Sequence, residues 1–485
     1  MIFASIPFIF YFLPLVLLLY LACEKFILAK NVLLLAVGLV FYSWGEPAHL
    51  IPLLILIVGN YLLGLALTDA KPKGTRRKRI VFLAFVLNLG VMAVARHGNT
   101  FFLPLLDQFF GVQTTFRMSA APLGVAFFSL QALSYIFNVA RRKTPPEKNI
   151  LNVALFISFM PTVLAGPVID YRDMAEQLRS RKTSLALFGS GCERFIVGFA
   201  KLVIVGVPLY RLSEDILHMS AAGAGNFDVP VVLAWLGFFA LALRYYFVFS
   251  AYSDMAVGLA GMFGFHIKKN FNYPFTAHTI GQFWTRWNIL LYRWFYRYIF
   301  LSMGGARPKR VMIKGLPRQR NYVLRNLVCF WLLFGLWHGF DWPHLLWGVW
   351  FFFFALVEWI IKLRWRDTRS IFWQLYTLFV VSFSFVFLRC VNIGEAMNYL
   401  GNLLGVNGGG FYGELTFYFI KENWAYLLAG IFCFPIGRKV TDMLKSETPG
   451  GLQYVLAVGY PLLLAALFFL SMVFLSRVDF IPFIF

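Results

Sequence analysis

Twelve apolar stretches recur along the chain, each close to the roughly 20 residues a helix needs to cross a bilayer core of about 30 Å. They fall at about 5–23, 28–45, 49–69, 80–95, 120–140, 185–208, 228–249, 326–342, 345–361, 371–391, 424–437 and 452–475. Only 14% of the 485 residues are charged, about half the share of a soluble chain. Too little polar surface exists to cover a water-facing globule, which excludes a soluble enzyme, a disordered chain and a fibrous protein. The pattern is that of an all-α polytopic membrane protein with about 10–12 transmembrane helices, residues 1–485 forming one integral membrane domain. Four other apolar stretches, 101–112, 151–169, 251–265 and 283–303, are short, broken by Gly or Pro, or studded with polar residues. They are expected as re-entrant or interfacial pieces, because irregular backbone at membrane depth must be covered by protein. The first stretch lacks a basic lead and a small-residue cleavage site before Glu24 and Lys25, so it reads as a span and not a signal peptide.

Basic residues number 44 against 22 acidic, a net charge of +22. In a soluble chain this would point to nucleic acid. In a multi-pass chain it points to Lys and Arg held on the cytoplasmic side and to anionic lipid, and no nucleic-acid partner is expected. The clusters lie at Lys71–Arg79, Arg141–Lys143, Arg307–Arg325 and Lys362–Arg369. Placing all four in the cytosol sets both termini outside. A fifth cluster, Arg172–Lys182, fits only if 151–169 enters and leaves on the cytosolic side, a dip marked by Pro161 and Gly166-Pro167. The five cysteines are scattered and form no CxxC pair, so they read as buried hydrophobes. The absence of evident internal repeats weakens a secondary-transporter reading.

Polar groups inside the spans need a reason, since a charge at the bilayer centre costs about 2.5–3.5 kcal/mol on insertion scales. Three stretches stand out: Phe249–Gly258 with Arg244 before it, Asn270–Asn288, and Phe334–Gly339. In the last, an uncharged His338 imidazole could accept a proton, and Gly335 and Gly339 would admit a backbone or a thin substrate. Equally, His338 could be a core histidine bonded to a helix carbonyl. The other six histidines sit near span ends or loops. Asp254 reads as a helix N-cap or an ion-pair partner of Arg244, or else as an acid lining a polar tunnel. Asn288 belongs to a Trp- and Arg-rich stretch that suits an interfacial helix, or it is an amide donor that polarises a carbonyl. No metal-ligand spacing, Walker loop, dinucleotide fingerprint or GxSxG elbow occurs. Such a site suits simple acyl transfer, in which the substrate brings its own activated bond.

Four blocks then recur in a telling order: Pro122-Leu123-Gly124 with Phe127–Tyr135 and Ala165-Gly166-Pro167; Tyr252–Gly258; Asn270–Pro274 through Phe283–Trp287; and Arg325-Asn326 with Gly335–Gly339. Their order resembles the membrane-bound O-acyltransferase (MBOAT) superfamily, within it the bacterial branch of the alginate O-acetylation membrane subunit. The resemblance spans about 120–350, which would be the catalytic core between N-terminal helices at 1–115 and C-terminal helices at 360–485.

It implies a multi-helix funnel with a through-membrane tunnel in the bacterial inner membrane. His338 corresponds to the superfamily's membrane histidine and Asn288 to its second marked position. That position is usually His in the alginate branch, so Asn288 would leave proton transfer to His338. Trp287, Arg286, Gln282, Trp337, Asp254, Tyr252 and Ser253 are candidates for lining the tunnel or positioning substrate. Arg307, Lys309, Arg310 and Arg325 are candidates for meeting the donor's phosphates. The implied activity is transfer of an acetyl group from cytosolic acetyl-CoA, a co-substrate rather than a tightly bound cofactor. An SGNH-type extracytoplasmic partner would then esterify a polysaccharide, and 392–423 is a candidate docking surface for it. D-alanyl transfer, lipid or protein acylation, and a transporter without chemistry remain as alternatives.

Overall fold

Helices form where the apolar stretches run, because a backbone without water must satisfy its hydrogen bonds internally. The computed structural model describes residues 1–71, 74–98, 104, 108, 122–221, 229–304, 317–361, 370–435 and 450–478, and among them every regular element is helical. Among the described residues, seven helices are long and apolar enough to cross a membrane, with four shorter apolar ones, Phe8–Ala22, Ile27–Ser43, Val125–Ala140 and Tyr322–His338. The chain is thus a multi-pass membrane protein. It divides into two compact units, Met1–Phe195 with Ser253–Lys268, and Ile196–Tyr252 with Lys269–Ile484.

The first unit contains α1 (Leu13–Ala22), α2 (Ile27–Ser43), α3 (Leu50–Ala66), α4 (Thr75–His97) and α5 (Val125–Ala140). Helix α5 is buried along nearly its whole length, with α3 and α4 against it. Asn60 and Asn88 exchange amide hydrogen bonds between α3 and α4, at 3.2 and 2.9 Å. Such a paired polar contact joins helices in lipid, where apolar side chains alone give little preference for one another. The stretch 151–169 is broken as expected: α6 (Ile150–Ile157) stops at Ser158, α7 (Met160–Val163) is one turn, and the chain then leads to the amphipathic α8 (Tyr171–Arg179).

The stretch 251–265 differs from expectation. It is no interfacial piece but the end of one uninterrupted helix, α11 (Val231–Met262), which follows α9 (Leu185–Ala200) and α10 (Val207–Ala221). Its glycines serve a close helix crossing. A Cβ on Gly258 would lie 2.6 Å from the Gly191 carbonyl of α9, and one on Gly191 would lie 2.7 Å from the Gly258 carbonyl. Small residues let membrane helices touch backbone to backbone.

The second unit holds most of α11, then α12 (Ile280–Trp284), α13 (Ile289–Phe295), α14 (Pro317–His338), α15 (Trp342–Ile360), α16 (Ile371–Arg389), α17 (Ile393–Leu404), α18 (Glu414–Ala429) and α19 (Gly450–Leu475). The stretch 283–303 is broken, as expected. The span expected at 424–437 is displaced: α18 begins at Glu414, and its turn at Lys421-Glu422-Asn423 hid the helix from hydropathy alone. The stretch 101–112 lies outside the described residues apart from positions 104 and 108.

Candidate active site

Two short segments of the second unit build the site. The first is the interrupted stretch around α12 and α13. Thr279 caps α12 through its side chain, which accepts from Gln282 N–H at 3.0 Å. The Glu358 carboxylate of α15 accepts from Ile280 N–H at 2.6 Å and from Gly281 N–H at 3.4 Å. A carboxylate on free amides at a helix start is the favourable pairing. The helix then unwinds over Thr285–Asn288, held by Asn272 N–H donating to the Arg286 carbonyl at 2.9 Å and Ile289 N–H donating to the Asn270 carbonyl at 2.8 Å. Asn288 turns the chain into α13 with φ 37° and ψ 55°. This is the left-handed region, which Asn tolerates better than most residues.

The second segment is the hairpin of α14 and α15. A Cβ on Gly335 would meet the His344 carbonyl at 2.6 Å, and one on Gly348 the Trp331 carbonyl at 2.6 Å. What Gly335 admits is therefore a neighbouring backbone, and Gly339 admits the His344 ring, whose Nδ1 would lie 2.5 Å from a Cβ there. His338 is the last residue of α14. Its ring meets Trp337 and Trp347 edgewise, both at 4.9 Å between centroids, and lies nearly parallel to His344 at 6.3 Å. His344 in turn pairs with Asp341 at 2.6 Å.

His338 and Asn288 line the same hollow, of about 20 Å³, which is room for about one water-sized group. Its walls are aromatic: Phe283, Trp284 and Trp287 from the interrupted stretch, Phe334, Trp347 and Phe351 from the hairpin, and Tyr245, Phe249 and Phe385 from α11 and α16. His338 is half-buried and Asn288 buried. The arrangement sets one imidazole and one amide in an almost water-free space, where a fixed donor acts strongly on a carbonyl.

Of the other sequence candidates, only Trp287 lines the hollow. Trp337 packs against His338 without lining it. Gln282 accepts from His278 N–H at 3.1 Å, and Arg286 donates to Thr276 Oγ1, so both brace the loop. Tyr252 is buried and not among the lining residues. Ser253 and Asp254 belong to the first unit, where Asp254 is paired at 3.0 Å with Arg194, not with Arg244. Nor does Asp254 cap a helix, since it lies inside α11. Arg244 is held by Glu214, which also takes Arg389 Nε at 2.7 Å. Arg325 donates to the Met303 carbonyl at 2.6 Å and to Asn326. Arg307, Lys309 and Arg310 lie outside the described residues.

Four residues of the site were not among the sequence candidates. The Asp341–His344 pair is signalled by an N-cap followed by Pro343, and Glu358 by a lone acid in an apolar helix. Asn270 is signalled by its place at the head of the polar stretch Asn270–Asn288, though not as a residue acting on Asn288.

A model of the membrane-bound O-acyltransferase family matches residues 34–401. The chain belongs to this family. MBOAT membership makes it an O-acyltransferase and removes the transporter reading. The chain is 33% identical over 406 residues to the probable alginate O-acetylase of Azotobacter vinelandii, covering 82% of this chain and 76% of that one. It is 26% identical to the peptidoglycan O-acetyltransferase of Helicobacter pylori, covering 83% and 79%. It is also similar to the teichoic acid D-alanyltransferase of Bacillus subtilis, at 25% over 54% of this chain and 66% of that one.

Proposed function

We propose that this MBOAT protein moves an acetyl group from a cytosolic thioester, acetyl-CoA, toward O-acetylation of an extracytoplasmic polysaccharide. His338 takes the proton of the attacking hydroxyl as that oxygen bonds to the thioester carbonyl carbon. Asn288 donates a hydrogen bond to the oxygen that gains charge. The C–S bond then breaks, and the coenzyme A thiolate recovers the proton from the imidazolium. Basic side chains facing the cytosol draw the anionic donor.

The observation that carries the reading is the shared hollow of His338 and Asn288, set in a chain similar to two O-acetyltransferases along most of its length. A partner of the SGNH type is part of the reading, because the resemblance brings it and the acceptor is a polymer outside. The candidate docking stretch supports it: Val406 and Phe411 are 77% and 75% exposed beyond α17. The proposed site is the bacterial inner membrane, with both termini outside.

Purified protein with labelled acetyl-CoA tests the chemistry. His338→Ala is expected to lose about 10²–10⁴-fold in thioester turnover while staying in the membrane; undiminished turnover would remove His338 from the mechanism. The similarity to a D-alanyltransferase favours a second reading, D-alanyl transfer from a carrier protein. The two donors, offered side by side, separate the readings.

A further inference from the structure

We propose that Asn270 is a positioning residue that fixes the amide of Asn288 with its NH₂ group toward the hollow, so that Asn288 works only as a donor. The inference rests on the acyl-transfer reading and deepens it. Asn270 is 3% exposed and stands beside the start of α13. Its Oδ1 accepts from Leu290 N–H at 2.9 Å, and its Nδ2 donates to Asn288 Oδ1 at 3.1 Å.

The order of atoms along this chain follows from chemistry. A backbone N–H can only donate, so the Asn270 atom facing Leu290 is the oxygen. The other end of Asn270 is then the NH₂ group, and the Asn288 atom facing it is the oxygen. Nδ2 of Asn288 is left over. It has no protein partner among the described residues and is not sealed off as a buried orphan atom, and its residue lines the hollow. The Asn270 carbonyl also accepts Ile289 N–H at 2.8 Å, so one residue holds both the backbone and the side chain of the left-handed turn.

One backbone amide therefore decides the polarity of the site two residues away. A donor in that place suits an oxygen gaining negative charge; an acceptor there would repel it.

Asn270→Asp and Asn288→Asp test this, read as kcat and KM for acetyl-CoA on purified protein of unchanged melting temperature. Asn270→Asp still accepts from Leu290 but offers Asn288 an oxygen, so the Asn288 amide turns over. Asn288→Asp keeps the bond from Asn270 and presents an oxygen to the hollow. Both are expected to lose about 10²–10³-fold in kcat, with KM within about threefold. Asn270→Asp combined with Asn288→Ala is expected to be no slower than Asn288→Ala alone.

Full kcat in Asn270→Asp beside a loss in Asn288→Asp would overturn the role of Asn270 and leave the site reading intact. Losses that multiply in the double variant would overturn it as well. Should Asn270→Asp not fold, Asn288→Asp stands alone, and full kcat in it overturns the proposal. Full turnover in His338→Ala, by contrast, would sink the reading of the site and the inference with it.

Discussion

Trp347 shows how one side chain limits the reaction. It is 1% exposed, meets His338 edgewise at 4.9 Å and Trp284 at 5.7 Å, and walls the hollow. Its Nε1 has no hydrogen-bond partner among the described residues, so a smaller ring there forfeits no bond. An acyl group whose carbonyl reaches Asn288 sets its alkyl end against the aromatic walls of the hollow, Trp347 among them. Trp347→Phe is therefore expected to raise propionyl-CoA turnover relative to acetyl-CoA by about tenfold, since one methylene in an apolar pocket counts for about 1–3 kcal/mol. Side-by-side kcat/KM values check this, and an unchanged ratio would mean that the hollow does not measure acyl length. His338 stood out in the sequence because a polar group in an apolar run is rare, whereas Asn288 was picked out through the family resemblance. The role of Asn270 did not stand out, since it lies in two hydrogen bonds whose ends sit 18 and 20 residues away.

At the scale of elements, spans were easier to find in the sequence than their ends or breaks. The stretch 251–265 looked too broken and polar for a span, yet its Gly258 and Gly261 are contact points between α9 and α11. Sequence alone cannot say whether a glycine faces a neighbouring helix or interrupts its own. The break in 151–169 was legible through its Pro and Gly residues, and its anchor was not. Glu147, in the loop before α6, binds Arg179 of α8 at 2.9 Å and accepts from Tyr171 Oη at 3.1 Å. Burial pushes the Glu147 carboxyl up, but the bonds from Arg179, Asn149 N–H and Tyr171 outweigh it and hold the group below its usual range. A carboxyl lowered on folding adds stability above its unfolded value and loses it as pH falls through the folded one. Wild type is thus expected to melt above Glu147→Gln at pH 7, with the gap closing below about pH 4. Melting curves in detergent across pH 3–8 check this; a gap independent of pH would show that the carboxylate charge contributes nothing.

For the molecule as a whole, the basic loops make a statement about direction. With Lys71 and Lys182 in the cytosol, Ile2 and Val478 fall outside. Single cysteines introduced by Ile2→Cys or Val478→Cys are expected to react with an impermeant maleimide in intact spheroplasts. Those from Lys71→Cys or Lys182→Cys are expected to react only after lysis. The five native cysteines are replaced beforehand, and the opposite pattern would invert the chain. The candidates proved to be divided between the two units, with Ser253 and Asp254 in the first and His338, Asn288 and Trp287 in the second. Adjacency in a motif such as Tyr252–Gly258 did not foretell this, because the boundary falls between Tyr252 and Ser253, part-way along one helix.

The left-handed backbone at position 288 limits what the position can hold. Few side chains settle there without strain, chiefly Asn, Asp, His and Gly. Of these, only Asn and His bring a hydrogen to share while remaining neutral. Chain geometry alone thus leaves a neutral hydrogen donor at this position a vocabulary of two words.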